Sequence, residues 1–111
     1  MPKYLPICLN LEGRPAVVVG GGVVGTQKVR DFLDCGAELH VISPVVSEYI
    51  REQAVAGRIT LTERRYEPGD VQGAFLVVVA TDDPAANAAV YAEAAAAGQL
   101  VNVCDDPPHC N

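Results

Sequence analysis

The chain has 111 residues, of which 50% are hydrophobic and 20% charged. This is long enough for one domain with a core, and the composition is too hydrophobic for a disordered chain. The formal net charge is -6, without a cluster of lysine and arginine, so we expect no nucleic-acid interface. No apolar run approaches the roughly 20 residues of a membrane helix, and the first residues lack the pattern of a secretory signal. We expect a single cytoplasmic domain over residues 1–111, without membrane attachment.

Apolar runs rich in β-branched residues recur along the chain with turn residues at both ends. They predict strands over Ala16–Val19, Leu39–Ile42, Phe75–Ala80 and Leu100–Cys104. Near-continuous apolar runs are typical of parallel strands that are covered on both faces. Residues Ile59–Arg64 instead alternate between apolar and polar side chains, which is typical of a strand at the edge of a sheet.

Helical segments separate most of these strands. We predict helices over Val23–Cys35, Ser47–Ala56 and Pro84–Ala97, and a glycine follows each of them. Ser47 is a candidate N-cap of the second helix, and Asp82 or Asp83 caps the third. Strands and helices that alternate in this way predict an α/β fold. We expect a Rossmann-type, doubly wound parallel sheet of about five strands flanked by helices.

Three spaced glycines lie between the first strand and the first helix. Gly20, Gly22 and Gly25 fit the pattern G-x-G-x-x-G, which in this position is typical of dinucleotide-binding folds. Gly20 permits a tight turn, Gly22 lets the backbone approach a pyrophosphate, and Gly25 lets the helix pack closely on the strand. The pyrophosphate would meet free N–H groups at the positive end of the helix dipole. A purely structural glycine turn is the weaker alternative.

The second strand lacks the acidic residue that usually follows it in such folds. An acid about 20 residues after the glycines normally binds the ribose 2′-hydroxyl group of NAD. Here Ser43 and Pro44 occupy this position. A serine hydroxyl can bind a ribose and does not repel the 2′-phosphate of NADP, so the residues leave the choice between NAD and NADP open.

Polar residues follow two later strands. Thr81, Asp82 and Asp83 come after the strand that ends near Ala80. Because ligands of doubly wound sheets bind at the carboxyl ends of strands, these residues are candidates for cofactor contact. The two aspartates serve equally well as helix caps.

The last strand is followed by another pair of acids. Asp105 and Asp106 could exchange a proton with a substrate, since adjacent carboxylates raise each other's pKa. From the residues alone, an Asp-Pro turn explains them as well. Cys104, His109 and Cys110 do not have the spacing of a zinc site, so we expect no metal and reduced cysteine thiols.

The order of these motifs resembles the NAD-binding portion of the precorrin-2 dehydrogenases, the N-terminal module of siroheme synthases. The resemblance runs from about Leu5 to the last residue and rests on "AVVVGGGVVGTQK" with its Lys28, on "ATDDP" and on "VNVCDDP". It implies oxidation of precorrin-2 to sirohydrochlorin with NAD, and some family members also insert ferrous iron. The family continues into dimerisation and helical regions that these residues do not include, and it implies a tetrapyrrole substrate and a homodimeric parent protein.

The resemblance also implies a role for individual residues. Gly20, Gly22, Val23 and Val24 would bind the pyrophosphate; Ser43, Pro44 and Val45 the adenosine ribose; and Thr81 the neighbouring edge of the cofactor. The aspartate proposed to be catalytic in the family matches Asp105. The rival hypothesis is a regulatory domain that senses NAD or NADH without catalysis, but such domains usually end the second strand with an acid.

Overall fold

The described residues of the chain form a parallel β-sheet with helices on both faces. They are Lys3 and residues 5–104 of a computed structural model. The elements in chain order are β1 (Pro15–Val19), α1 (Val23–Asp34), β2 (Glu38–Ile42), α2 (Glu48–Val55), β3 (Thr60–Thr62), β4 (Leu76–Val79), α3 (Pro84–Ala96) and β5 (Leu100–Val103). The five strands are ordered β3-β2-β1-β4-β5, and every neighbouring pair is parallel. This confirms the predicted Rossmann-type, doubly wound fold.

Each face of the sheet has its own apolar core. Helices α1 and α2 cover one face, where Val29, Phe32 and Ile50 pack with residues of β1 and β2. Helix α3 and the segment that precedes β4 cover the other face, where Val71 and Val90 pack with β4 and β5. Burial on both faces explains why the central strands have near-continuous apolar sequences.

The predicted strands are present, but several are shorter than the sequence indicated. The edge strand shows the largest difference, because Thr60–Thr62 replaces the expected Ile59–Arg64. The N–H of Arg64 donates to the Thr62 carbonyl at 3.1 Å and turns the chain away from the sheet. The guanidinium of Arg64 then pairs with Asp70 at 2.7 Å. The turn at Arg64 and this ion pair, between residues six positions apart, accompany the end of the strand, which comes earlier than the local alternation of side chains predicts.

The helix boundaries agree with the predicted capping residues. The Ser47 hydroxyl accepts a hydrogen bond from the Ile50 N–H at 3.3 Å and so caps α2. Of the two aspartates before α3, it is Asp83 that caps the helix, because its carboxylate accepts from the Ala85 N–H at 3.0 Å. Helix α1 differs from both, since its N-cap residue is Gly22 and no side chain caps it.

Two further expectations concern membrane attachment and the cysteines. Among the residues that the structure describes, no helix has both the length and the apolar character to cross a bilayer. Cys8, Cys35 and Cys104 are free thiols, and Cys110 lies outside the described residues.

Candidate functional site

The carboxyl ends of all five strands lie in one row. The last residues of the strands pair across the sheet in the order Thr62, Ile42, Val19, Val79 and Val103. The residues that follow them therefore form one edge: Glu63, Ser43, Gly20, Ala80 and Cys104. The strand order reverses between β1 and β4, and ligands of doubly wound folds bind at this reversal. The glycine loop after β1 is at this position.

Three of the loop glycines are required by crowded backbone. Gly20 has a φ angle of 124°, and a Cβ atom there would lie 2.7 Å from the carbonyl carbon of Ala80. A Cβ at Gly25 would lie 2.8 Å from the carbonyl carbon of Gly20, so the absence of a side chain lets α1 pack against the loop. A Cβ at Gly21 would lie 2.7 Å from the Val45 carbonyl oxygen. The loop is thus enclosed between the ends of β2 and β4.

Gly22 is in a different environment, because a Cβ built there has no described atom within 4 Å apart from those of Gly22 and its chain neighbours. Its φ angle of -83° is open to any residue, so neither packing nor backbone strain requires glycine. Gly22 is exposed and caps α1 without a side chain, and the exposed fraction of Val23 is 90%. Within the described part of the chain, the N–H groups of Gly22, Val23 and Val24 have no hydrogen-bond acceptor. An exposed, uncapped helix N-terminus is suited to bind an anion.

The turn between β2 and α2 packs against this loop. The Ser43 side chain is buried, and its hydroxyl donates to the Val45 carbonyl at 2.7 Å. The Ser47 N–H donates to the Gly21 carbonyl at 2.9 Å, which joins the turn to the glycine loop. Pro44 and Val45 form the exposed surface, and the exposed fraction of Val45 is 76%. Ser43 therefore shapes the turn, while Pro44 and Val45 face solvent.

Thr81 lies on the other side of the glycine loop. Its backbone N would be 3.2 Å from a Cβ at Gly20, so the two residues are neighbours. The Thr81 hydroxyl donates to the side-chain oxygen of Asn87, and the Asn87 amide donates to the Thr81 carbonyl at 3.2 Å. These bonds fix the turn that leads into α3. No local sequence pattern predicts the contact between Thr81 and Asn87, because it depends on how α3 packs against the turn.

The structure brings together the predicted cofactor-binding residues at the carboxyl edge of the sheet. They are Gly20, Gly22, Val23, Val24, Ser43, Pro44, Val45 and Thr81. Asp105, the predicted catalytic residue, follows the same edge in sequence but lies outside the described residues, as do Asp106, His109 and Cys110. Among the residues described, no group of three or more histidine, cysteine, aspartate or glutamate side chains is placed to bind a metal ion.

Sequence reasoning missed one charged pair at this edge. Arg51 on α2 donates two hydrogen bonds to the Glu63 carboxylate, with Nη1 to Oε1 at 2.7 Å and Nη2 to Oε2 at 3.1 Å. The hydrogen bonds and charge of Glu63 raise the pKa of Arg51 above its ordinary value. The two residues are 12 positions apart, so no local pattern predicts their contact.

Comparison with known proteins agrees with this arrangement. Residues 7–111 match the family described as "Putative NAD(P)-binding". The chain belongs to this family. The matched residues include the glycine loop, the β2–α2 turn and Thr81, so the site described above lies within the matched region.

The chain is also similar to longer curated proteins. It is 42% identical over 109 residues to the siroheme synthase of Nitrosococcus oceani and 44% identical over 109 residues to that of Ectopseudomonas mendocina. Each alignment covers 98% of this chain and 23% of the relative, so the chain spans less than a quarter of their length. The solved structure of SirC, a precorrin-2 dehydrogenase, superimposes with a TM-score of 0.84 at 34% identity, covering 93% of this chain and 50% of SirC.

Proposed function

We propose that this chain binds NAD and is the cofactor-binding part of an enzyme that oxidises precorrin-2 to sirohydrochlorin. The observation that carries the proposal is the N-terminus of α1, where Gly22 is the N-cap residue and no side chain caps the helix, at the reversal of the strand order. The assignment of the substrate is supported by the similarity to siroheme synthases and to the precorrin-2 dehydrogenase SirC. The chain would thus act in siroheme biosynthesis in the cytoplasm.

The residues at the edge of the sheet fit the parts of a dinucleotide. Gly20, Gly22, Val23 and Val24 would bind the pyrophosphate. The backbone of Gly22, Val23 and Val24 is exposed and the helix dipole favours negative charge there. Gly20 is buried and its N–H donates to the Ile42 carbonyl at 2.9 Å, so it would shape the turn that presents these groups. The turn formed by Ser43, Pro44 and Val45 would bind the adenosine ribose. Pro44 and Val45 would supply the exposed surface, and the buried Ser43 would hold the shape of the turn. Thr81, next to Gly20, would lie along the neighbouring edge of the cofactor.

The reaction requires the removal of a hydride and a proton from the tetrapyrrole. Bound NAD supplies the hydride acceptor. Asp105 would accept the proton, since a carboxylate near the substrate can act as a general base. The chain has eight lysine and arginine residues against fourteen acids, so we propose that other parts of a siroheme-synthase-like homodimer bind most of the substrate carboxylates.

Binding of the cofactor is tested by calorimetric titration of this chain with NAD. We expect saturable binding at one site per chain, because a single exposed helix N-terminus would bind the pyrophosphate. Titration of a protein that carries Gly22→Asp is the control, since a carboxylate there would occupy the same N–H groups. No detectable binding of either NAD or NADP to the unchanged chain would contradict the proposal.

The role of Asp105 is tested by Asp105→Asn in the intact gene product. We expect loss of precorrin-2 oxidation with NAD affinity within about twofold of the unchanged enzyme, because an amide is similar in size but does not accept a proton. Asp106→Asn is the matched control and should retain turnover. Unchanged turnover of the Asp105 variant would remove that residue from catalysis. Binding of NAD without any oxidation of precorrin-2 by the unchanged protein would instead favour a sensing domain.

A further inference from the structure

The ion pair between Arg51 and Glu63 lies beside the turn proposed to bind the adenosine ribose. Glu63 directly follows Thr62, the last residue of β3, and the Thr62 carbonyl accepts a hydrogen bond from the Ser43 N–H at 3.2 Å. Arg51 is one helical turn from the N-cap of α2, since its N–H donates to the Ser47 carbonyl at 3.2 Å. The pair is therefore next to the β2–α2 turn on the carboxyl edge of the sheet.

The pair is well formed but accessible to solvent. Both hydrogen bonds run between the guanidinium fork and the two carboxylate oxygens, which is the bidentate geometry. The exposed fraction is 54% for the Arg51 side chain and 41% for that of Glu63. A ligand group at the edge of the turn can therefore reach either partner, and neither is locked in the core.

Dinucleotide-binding folds choose between NAD and NADP with these two kinds of side chain. An acid at the end of the second strand binds the 2′-hydroxyl of NAD, whereas a nearby arginine accommodates the 2′-phosphate of NADP. In this chain Ser43 replaces the acid, and its hydroxyl proton is bonded to the Val45 carbonyl. An acid and an arginine are nevertheless close to this turn. Glu63 follows the neighbouring strand β3, Arg51 lies on α2, and the two side chains are bonded to each other.

We propose that the Arg51–Glu63 pair determines the preference for NAD over NADP. Glu63 neutralises Arg51 and occupies two of the five guanidinium N–H donors, so a 2′-phosphate has to compete with the carboxylate for Arg51. Glu48, in the first turn of α2, adds another negative charge on this side of the turn. The inference rests on the proposed function, because it assumes that the adenosine ribose binds at Ser43, Pro44 and Val45.

The test compares the affinities for NAD and NADP, measured by calorimetry, in the unchanged chain and in Glu63→Gln. Releasing Arg51 should raise the affinity for NADP by up to about fivefold, the upper end of the range for exposed ion pairs, and leave the affinity for NAD unchanged. Glu52→Gln is the matched control, because it removes the same charge from a residue next to Arg51 that is not its ion-pair partner. It should leave the ratio of the two affinities unchanged.

A double variant identifies the group that binds the 2′-phosphate. In Arg51→Gln/Glu63→Gln the gain in NADP affinity should disappear, and added salt should reduce the gain in the single variant. Equal affinity ratios in Glu63→Gln and Glu52→Gln, or a gain that persists without Arg51, would overturn the inference while NAD binding still supports the proposed function. If the unchanged chain binds neither dinucleotide, the proposed function and this inference fail together.

Discussion

The N-termini of helices α1 and α3 occupy equivalent places in the fold but are completed differently. Both helices follow strands that end in the same row of the sheet. At α3, the Asp83 carboxylate accepts from the Ala85 N–H, and Pro84 at the first position has no N–H to satisfy. At α1, Gly22 offers no side chain, and there is no acid in the first turn.

This difference indicates which terminus can bind a ligand. The first N–H groups of any helix need acceptors from side chains, water or a ligand. Helices α2 and α3 obtain acceptors from their own sequence, through Ser47 and Asp83. Helix α1 does not, although it begins beside the reversal of the strand order, as α3 does. The capped N-termini of α2 and α3 therefore serve stability, whereas the N-terminus of α1 is the one proposed to serve binding.

The largest expected effect distinguishes two glycines of the same loop. Gly20→Ala should lower the free energy of unfolding by about 3 kcal/mol, because it combines backbone strain with overpacking. The strain follows from the φ angle of 124°, and the overpacking from the Ala80 carbonyl. Gly22→Ala is the control and should lower stability by no more than about 1 kcal/mol, the difference between glycine and alanine at an N-cap, since its φ is ordinary and the space beside it is open. Urea unfolding measures both, and equal losses would contradict the distinction between the two glycines.

The next effect comes from adding a cap to the N-terminus of α1 and removing the cap of α3. Gly22→Asp gives α1 the kind of cap that α3 has, so stability should be retained or rise by a few tenths of a kcal/mol. The affinity for NAD should fall at least about tenfold, because the new carboxylate accepts from the helix N–H groups and repels the pyrophosphate. Asp83→Ala is the opposite change, with an expected loss of about 1 kcal/mol of stability.

The control for this exchange is the affinity of the Asp83→Ala protein for NAD, measured by the same titration. It should stay within about twofold of the unchanged chain, because the Asp83 carboxylate is bonded to its own helix. A stable Gly22→Asp protein with undiminished NAD affinity would show that the pyrophosphate does not bind at α1.

The sequence predicted the features that depend on neighbouring residues. The central strands follow from short apolar runs, since a strand covered on both faces has no polar positions to alternate. The packing of Gly20 and Gly25 follows from their spacing, because three residues connect β1 to α1 and place Gly25 in the first turn of the helix. The caps Ser47 and Asp83 also lie within three residues of the groups they bind.

The geometry of turns and the pairing of charged side chains were not predictable in this way. The edge strand was predicted too long because the Arg64–Asp70 pair and the turn after Thr62 do not appear in a pattern of alternating side chains. Ser43 was a candidate for ribose binding, but whether its hydroxyl would point to the Val45 carbonyl depends on the shape of the turn. Arg51 and Glu63 meet only because α2 packs beside β3.

The smallest expected effect is a pH dependence of the free energy of unfolding that the affinity for NAD does not share. His40 lies on β2, with its Nε2 atom 2.7 Å from the Thr62 hydroxyl oxygen. Burial lowers the pKa of His40 below 6.5, which outweighs the opposite influence of Asp70 and is aided by Arg64. The unfolded chain therefore binds more protons than the folded one just below pH 6.5, and the free energy of unfolding should decrease as the pH falls through that range.

This pH dependence should differ between unfolding and binding. The Arg64 hydrogen bond lowers the pKa of Asp70 below 3.8, so that carboxylate contributes to stability above pH 3.8 and its contribution is lost only in more acidic solution. Between pH 7 and 5.5, His40→Gln should show a weaker loss of stability in urea unfolding than the unchanged chain. The affinity for NAD should stay constant over the same range, because Gly22, Val23 and Val24 present backbone N–H groups that do not titrate. If the two proteins lose stability equally, His40 is not the group responsible, and if NAD affinity changes with pH in the folded chain, a titrating side chain takes part in the proposed site.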